Sequence, residues 1–440
     1  MSNQTKIIVL DDDPTGSQTV HSCLLLMRWD VETLRLGLAD DSPIFFILTN
    51  TRALTPEQAA DVTREVCHNL KLALEAEGIE EFLIVSRSDS TLRGHYPIET
   101  DIIAEELGEF DAHFLTPAFF EGGRITRDNI HYLLINGIET PVHETEFARD
   151  SVFGYKNSYL PAYVEEKTKG RVPTEKVQQF LLGDIRKGSR ERLMSLRGNQ
   201  CCAVDATNQG DFDIFAADVL AATAAGKRFL FRSAASLLTS LANLDKQPVA
   251  AADMSQYKRT AKPGVVLVGS HVKKTTQQLK QLLEESDVEG IEVKVIRLRN
   301  LSSERAKILA EILEKVKVSF DEGKTPVVYT SRQEITFINA QERLEFGAKV
   351  SALLMDVVKG LPEEISFLIS KGGITSNDVL SKGLNLRLAR LLGQILPGCS
   401  LVRTPAEHPQ FPNLPVVLFP GNVGNTEGLV TVYQRLNNSN

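Results

Sequence analysis

Long apolar runs are missing from this 440-residue sequence. The longest near the N-terminus, Ile44-Phe45-Phe46-Ile47-Leu48, falls far short of the ~20 residues a membrane-spanning helix needs. The opening residues, Met1-Ser2-Asn3-Gln4-Thr5-Lys6, run straight into a strand-like segment without a signal-peptide pattern. Cysteine is scarce: Cys23, Cys67, Cys201, Cys202 and Cys399 are odd in number and show no Cys-x-x-Cys spacing. That excludes a disulfide framework and a zinc site, and points to reduced thiols in a cytoplasmic protein. Basic residues are in the minority, 49 Lys and Arg against 57 Asp and Glu, for a net charge of −8. An extended nucleic-acid track is therefore not expected, although a local basic pocket for a small anion is compatible with this balance. Histidine is sparse and forms no HExxH or other metal spacing. His21, His68, His113, His131, His143 and His408 are scattered and read as structural, while His95 and His271 lie inside polar clusters. The single Trp29 carries no inference.

What is present is ordinary globular material, 42% apolar and 24% charged. Its length suggests two or three domains. Short β-branched runs alternate with amphipathic stretches. Strands are expected over 6–10, 43–49, 81–86 and 112–117, and helices after Thr55 and over 97–107. Thr55-Pro56-Glu57-Gln58 has the form of a capping box with Pro at the first helical position. Ala59, Val62, Val66, Leu70 and Leu74 follow at helical spacing, and Gly78 is the expected stop. Residues 120–175 are irregular and are assigned no elements. The pattern lapses over 243–263, the expected linker. A second series follows, with strands at 265–269, 291–298, 326–330, 366–370 and 416–419 and helices at 275–285, 303–318 and 341–359. This alternation predicts an α/β protein of two domains, 1–242 and 264–440, with mainly parallel sheets and an active site in the cleft between them.

Polar clusters fall at the ends of these strands. Asp11-Asp12-Asp13-Pro14-Thr15-Gly16 follows the first strand. Clustered carboxylates repel one another, so a fold keeps them only against a cation, a donor or solvent. They could hold Mg²⁺ or take a proton from a substrate hydroxyl; the plainer alternative is an exposed acidic turn. Ser86-Arg87-Ser88-Asp89-Ser90-Thr91-Leu92-Arg93-Gly94-His95 combines a carboxylate, hydroxyls and guanidiniums. That set suits a polyhydroxylated anion, with Asp89 accepting from hydroxyls and an Arg fork on a carboxylate; the alternative is a polar loop capping the next helix. Asn50-Thr51-Arg52 and Glu121-Gly122-Gly123-Arg124 add two more guanidiniums. In the second half, Gly269-Ser270-His271, Lys371-Gly372-Gly373-Ile374-Thr375-Ser376 and Pro420-Gly421-Asn422-Val423-Gly424 each follow a strand. Glycines there let backbone N–H groups approach a phosphate, with Thr375 and Ser376 as hydroxyl donors; the alternative is simple tight turns.

Together these segments resemble the four-carbon acid sugar kinases. Asp12-Asp13-Pro14-Thr15-Gly16 matches that family's Asp-Asp-x-Thr-Gly element, and Asp89-Ser90-Thr91-Leu92-Arg93-Gly94 matches its Asp-Ser-Thr-Leu-Arg-Gly element in full. Gly122-Gly123-Arg124 fits its Gly-Gly-Arg turn, and the three glycine segments of the second half fall where it binds nucleotide. The resemblance implies a sugar-acid domain at 1–242 and a nucleotide domain at 264–440. The implied reaction is ATP-dependent phosphorylation of the terminal hydroxyl of threonate, erythronate or a 3-oxo-tetronate. Asp12 and Asp89 would be catalytic; one carboxylate among Asp12, Asp13 and Asp89 would accept the hydroxyl proton, with Asp12 favoured. Asp13, Arg52, Ser90, Arg93, Gly123 and Arg124 would hold the acid. Ser270, Gly372, Gly373, Ile374, Thr375, Gly421 and Gly424 would hold ATP, accompanied by Mg²⁺ whose ligands are unassigned. The expected partners are the sugar acid and ATP, with no nucleic acid or membrane, and a homodimer as an open option.

Three segments depart from the pattern. Ile374 replaces a Glu, Phe419-Pro420-Gly421 stands where Lys-x-Gly is common, and Phe153-Gly154-Tyr155-Lys156-Asn157-Ser158-Tyr159 falls outside the resemblance. Two alternatives compete. A haloacid-dehalogenase-type phosphatase would use Asp11 as nucleophile and Asp13 as acid/base, but leaves 89–94 and the glycine segments unexplained. A non-enzymatic sugar-acid-binding protein would bind the acid without nucleotide.

Overall fold

Runs such as Ile7-Ile8-Val9-Leu10 and Ile44-Phe45-Phe46-Ile47-Leu48 are apolar at consecutive positions, the pattern of strands buried on both faces. The computed structural model describes residues 5–300, 304–332, 335–338 and 340–437. It divides into two units, Met1–Lys246 and Gln247–Asn440.

The strands of the first unit are β1 (Lys6–Asp11), β2 (Leu24–Leu26), β3 (Ile44–Leu48), β4 (Phe82–Arg87), β5 (Ala112–Thr116), β6 (Arg124–Arg127), β7 (Ile130–Ile135), β8 (Ile138–Pro141), β9 (Gln178–Phe180), β10 (Gln200–Val204) and β11 (Phe229–Ser233). Eight of them form a parallel sheet in the order β2-β3-β1-β4-β11-β5-β10-β9. Because β1 lies between β3 and β4, the strand order reverses there and opens a crevice at the carboxyl ends. The core gathers around Phe114 on β5, whose ring centroid lies 5.1–5.8 Å from those of Phe180, Phe215, Phe229 and Phe231.

The helix Pro56–Glu77 forms as its sequence predicts. The Thr55 hydroxyl accepts from the Gln58 amide, the Gln58 side chain accepts from the Thr55 amide, and Gly78 closes the helix at φ 66°. Thr55→Ala should cost about 1 kcal/mol, read as a lower urea midpoint for the first unit.

Residues 120–175 are more ordered than their composition suggests. β6, β7 and β8 make a separate antiparallel sheet. Its turns are Asp128-Asn129 and Asn136-Gly137, with φ of 52° and 57° and of 52° and 81°. Such positive-φ pairs fit two-residue hairpins, and Asn136-Gly137, just after the apolar run 132–135, is the Asn-Gly pair that favours one. The helix Leu160–Lys167 also lies in this stretch.

The second unit contains β12 (Val265–Val268), β13 (Val288–Val293), β14 (Thr325–Thr330), β15 (Leu368–Lys371), β16 (Leu388–Leu396), β17 (Cys399–Arg403) and β18 (Pro415–Phe419), in the order β13-β14-β12-β15-β18-β17-β16. The pairs from β13 to β18 are parallel; β17 and β16 add an antiparallel edge. The strand expected at 291–298 lies earlier, and its last positions turn into the short helix Arg297–Asn300. The helix expected at 303–318 is Glu304–Asp321, residue 303 lying outside the described residues. Among the described residues no helix is long and apolar enough to cross a membrane. All five cysteines are buried and none is in a disulfide.

Candidate functional site

Parallel register sets the first polar cluster. Asp11 pairs with Arg87 across β1 and β4, so the side chains meet, Arg87 Nη1 donating to Asp11 Oδ1 at 3.2 Å. Arg52, beyond β3, forks onto Asp12 with Nε at 3.2 Å and Nη2 closer still, and reaches Asp13 at 3.5 Å. Ser88 Oγ donates to Asp12 Oδ2 at 2.6 Å. Below them Arg232 on β11 donates to Ser86 Oγ at 2.7 Å, Ser88 Oγ at 2.7 Å and Glu99 Oε2 at 2.5 Å. Asp11 and Asp12 are buried, so the exposed acidic turn is excluded.

The loop over 89–94 is held by its carbonyls. His131 Nε2 donates to Ser90 O at 2.7 Å, Tyr155 to Thr91 O at 2.6 Å, Tyr163 to Leu92 O at 2.9 Å and Ser88 to Arg93 O at 3.0 Å. Burial brings the His131 pKa down to about 4, so the ring is neutral and Nδ1 can accept from Thr126. Gly94 closes the loop at φ +124°, where a Cβ would lie 2.4 Å from Ser88 Oγ and 2.5 Å from Arg232 Nη2. The loop presents Asp89, paired with Arg93 Nε at 2.7 Å and with Thr91, beside a recess also lined by Arg232, Ser233 and Tyr163. Burial alone would raise Asp89, but the Arg52 and Arg93 guanidiniums hold it far below the usual carboxylate range. Arg124 is different. Its guanidinium feels the charges of Asp89 and Arg93; among the described residues its side chain donates to the Gly122 carbonyl alone, its buried Nε has no partner, and it makes no ion pair.

In the second unit the glycine segments end the adjacent strands β12, β15 and β18. The Gly269 and Ser270 amides both donate to Lys371 O at 3.2 Å, and the Gly372 amide to Phe419 O at 2.8 Å. Thr275 Oγ1 donates to Gly421 O at 2.9 Å, and Gln278 Nε2 to Val423 O at 3.0 Å. Gly372, at φ +127°, approaches so closely that a Cβ would lie 3.0 Å from Ser270 Cβ. The result is a cradle of backbone around three strand ends.

A family model for a sugar-binding N-terminal domain matches residues 7–241, and one for a nucleotide-binding C-terminal domain matches residues 265–429. The chain belongs to the four-carbon acid sugar kinase family. Within this family it is 28% identical over 224 residues to a D-erythronate kinase of Heliobacterium modesticaldum, covering 49% of this chain and 48% of that one. It is 29% identical over 162 residues to a D-threonate kinase of Bordetella bronchiseptica, covering 35% and 37%. The matched stretches thus span about half or less of the curated relatives' lengths. In fold it is similar to a crystal structure from Salmonella typhimurium LT2, at TM-score 0.69 and 18% identity over 97% of this chain and 98% of that one. A Haemophilus influenzae structure gives TM-score 0.65 and 17% identity over 98% and 100%. The Salmonella protein carries a tRNA-synthase description; identity this low speaks for the fold alone.

Set on this family framework, the structure gathers Asp12, Asp13 and Arg52 in one cluster and Asp89, Arg93 and Arg124 in another. Ser90 is buried, with its carbonyl on His131, and Gly123 sits at φ 71° in the turn before Arg124. Ser270, Gly372, Thr375 and Gly421 come together in the cradle. Gly424 turns at φ 80° against Gln278, and Gly373 opens the helix Gly373–Asp378. Ile374 is 72% exposed. Ser376 is not a free donor, because its buried hydroxyl donates to Ser370 O at 3.1 Å. His95 is structural, its Nε2 donating to the carbonyls of Thr51 and Leu54. Sequence reasoning missed the roles of Arg232, Glu99, Tyr155, Tyr163 and Lys371. The one available signal was charge inside an apolar strand, as in Phe229-Leu230-Phe231-Arg232 and Leu368-Ile369-Ser370-Lys371.

Asp11 also weighs against the phosphatase alternative: it is wholly buried, and a Cβ on Gly16 would lie 2.1 Å from its Oδ1, which leaves no approach for phosphorus. Burial raises the Asp11 pKa to about 7; Arg87 opposes the rise, and Asp12 and Asp13 add to it. The folded chain therefore keeps a proton there that the unfolded chain releases between about pH 4 and about pH 7. This group's contribution to stability falls across that window and is level above it. Asp11→Asn should gain stability relative to the native chain as pH climbs through the window and hold that gain above it, measured as urea midpoints at successive pH values.

Proposed function

We propose that this chain is an ATP-dependent kinase that phosphorylates the terminal hydroxyl of a four-carbon sugar acid such as threonate, erythronate or a 3-oxo-tetronate. The observation that carries the reading is Arg124, a guanidinium that among the described residues has no anionic partner of its own, beside the Asp89–Arg93 pair. A substrate carboxylate on Arg124 would satisfy its fork. The other end of a short polyol acid would then lie within reach of Asp89.

Asp89 is a more accessible proton acceptor than Asp12. Both oxygens of Asp12 are already taken, Oδ1 by Arg52 and Oδ2 by Ser88 and Arg52, and its side chain is 2% exposed against 14% for Asp89. On this view Asp12 and Asp13 hold Arg52 in place, and Arg52 and Arg93 keep Asp89 ionised. The hydroxyl oxygen forms the new bond to phosphorus as its proton passes to Asp89 and the bond to the departing diphosphate breaks. The cradle fits a nucleotide phosphate chain because its backbone lies bare where a side chain would fill it. Among the described residues no three His, Cys, Asp or Glu side chains gather to hold a metal ion. Bound with the nucleotide, Mg²⁺ would neutralise phosphate charge.

The test is a coupled ADP-release assay across four- and five-carbon sugar acids and their 3-oxo forms. Acid-dependent ADP release restricted to four-carbon acids supports the reading. Steady hydrolysis of an aryl phosphate without nucleotide would overturn it in favour of a phosphatase, and thermal stabilisation by acids but never by ADP or ATP would favour a binding protein.

A further inference from the structure

Lys371 is wholly buried, yet it has no carboxylate partner among the described residues. Its ammonium donates to Pro420 O at 2.6 Å and Gly421 O at 3.3 Å, and lies 3.8 Å from the centre of the Phe419 ring. An unpaired buried ammonium is costly, and filling the same space with an apolar chain would avoid that cost. Burial does lower its pKa, to about 7; the facing Cys399 thiol opposes this and Lys274 adds to it.

The position explains the residue. Lys371 ends β15, the middle of the three cradle strands. Its carbonyl accepts from the amides of Gly269 and Ser270 on one side, while its ammonium donates to the carbonyls of Pro420 and Gly421 on the other. One residue thereby ties all three strand ends. In a planar trans peptide the C=O and N–H point in opposite directions. Drawing the Pro420 carbonyl inward therefore aims the Gly421 amide outward, and the Gly421 carbonyl, held by Lys371 together with Thr275 Oγ1, aims the Asn422 amide the same way. Neither amide donates to another group among the described residues.

We propose that Lys371 is the positioning residue of the nucleotide cradle, its ammonium turning the Gly421 and Asn422 amides onto a phosphate. The proposal rests on the reading of the second unit as the nucleotide site.

The test compares the full-length native chain with Lys371→Met, by calorimetric titration with ADP and Mg²⁺ and by melting without ligand. Lys371→Met should weaken ADP binding roughly ten- to a hundredfold, while its unliganded melting temperature stays within a few degrees, because the lost hydrogen bonds are offset by relief of the buried charge. Unchanged affinity, or a loss of affinity matched by a large fall in melting temperature, overturns the proposal. In the native chain, ADP should also slow hydrogen exchange at the Gly421 and Asn422 amides. Binding without that protection overturns the proposal even if the variant does not fold. If the native chain binds no ADP or ATP at all, it is the nucleotide reading that fails.

Discussion

Asp89→Asn should lower kcat by about two to four orders of magnitude, the range set by loss of a positioned proton acceptor, while leaving the ADP dissociation constant within about twofold. The amide keeps the size of the carboxylate and can still accept from Arg93 and Thr91, but it cannot take the proton of the substrate hydroxyl. The loop should survive, because its four carbonyls are held by His131, Tyr155, Tyr163 and Ser88 and not by Asp89. Arg93 would keep Asp150, 3.7 Å away. Steady-state kinetics with a sugar acid, paired with calorimetric titration of ADP, separate the two quantities. An unchanged kcat would remove Asp89 as proton acceptor and return the role to Asp12. Equal loss of turnover and nucleotide affinity would show that the roles of the two units have been divided wrongly.

Gly372→Val should act in the opposite sense. At φ +127° any L side chain is strained by about 1–3 kcal/mol, and here the added Cβ would also press on Ser270, 3.0 Å from its Cβ and 3.2 Å from its amide nitrogen. Neither atom is the loose end of a flexible chain, so the β12 and β15 loops must move apart. ADP affinity should fall roughly a hundredfold or more, equivalent to about 2.7 kcal/mol, and the second unit should melt several degrees lower. Sugar-acid binding, followed by thermal shift or calorimetry, should persist. Native-like ADP affinity in this variant would mean that the cradle is not where the phosphates sit.

The sequence-based expectations held wherever a few neighbouring residues decide the outcome. The capping box at Thr55 needs only Gln58, three residues away, and the stop at Gly78 needs only freedom at positive φ. Strand ends were legible because apolar runs stop at Asp11 and Arg87 in the first unit and at Lys371 in the second, and among parallel strands of one unit such ends share one edge. The hairpin turn at Asn136-Gly137 was equally local, but residues 130–141 sit among polar and charged neighbours that obscure the alternation.

Sequence alone determined the two α/β series, the polar segments at their strand ends and the glycine spacing, because each depends on backbone preference and on side chains within a turn or two. Tertiary structure decided which charges neutralise which. Arg232 reaches Ser86 across 146 residues and Glu99 across 133, and His131 reaches Ser90 across 41. No local pattern encodes such partners, since they meet only after β11 lies beside β4 and the β6–β8 sheet is in place. The same holds for Lys371, an unremarkable residue in the chain that becomes the buried tie between three loops once β12, β15 and β18 align. Burial made the difference: in water these groups would be solvated singly, whereas inside the sheet each must find a fixed partner, and the groups left without one are where a ligand can bind.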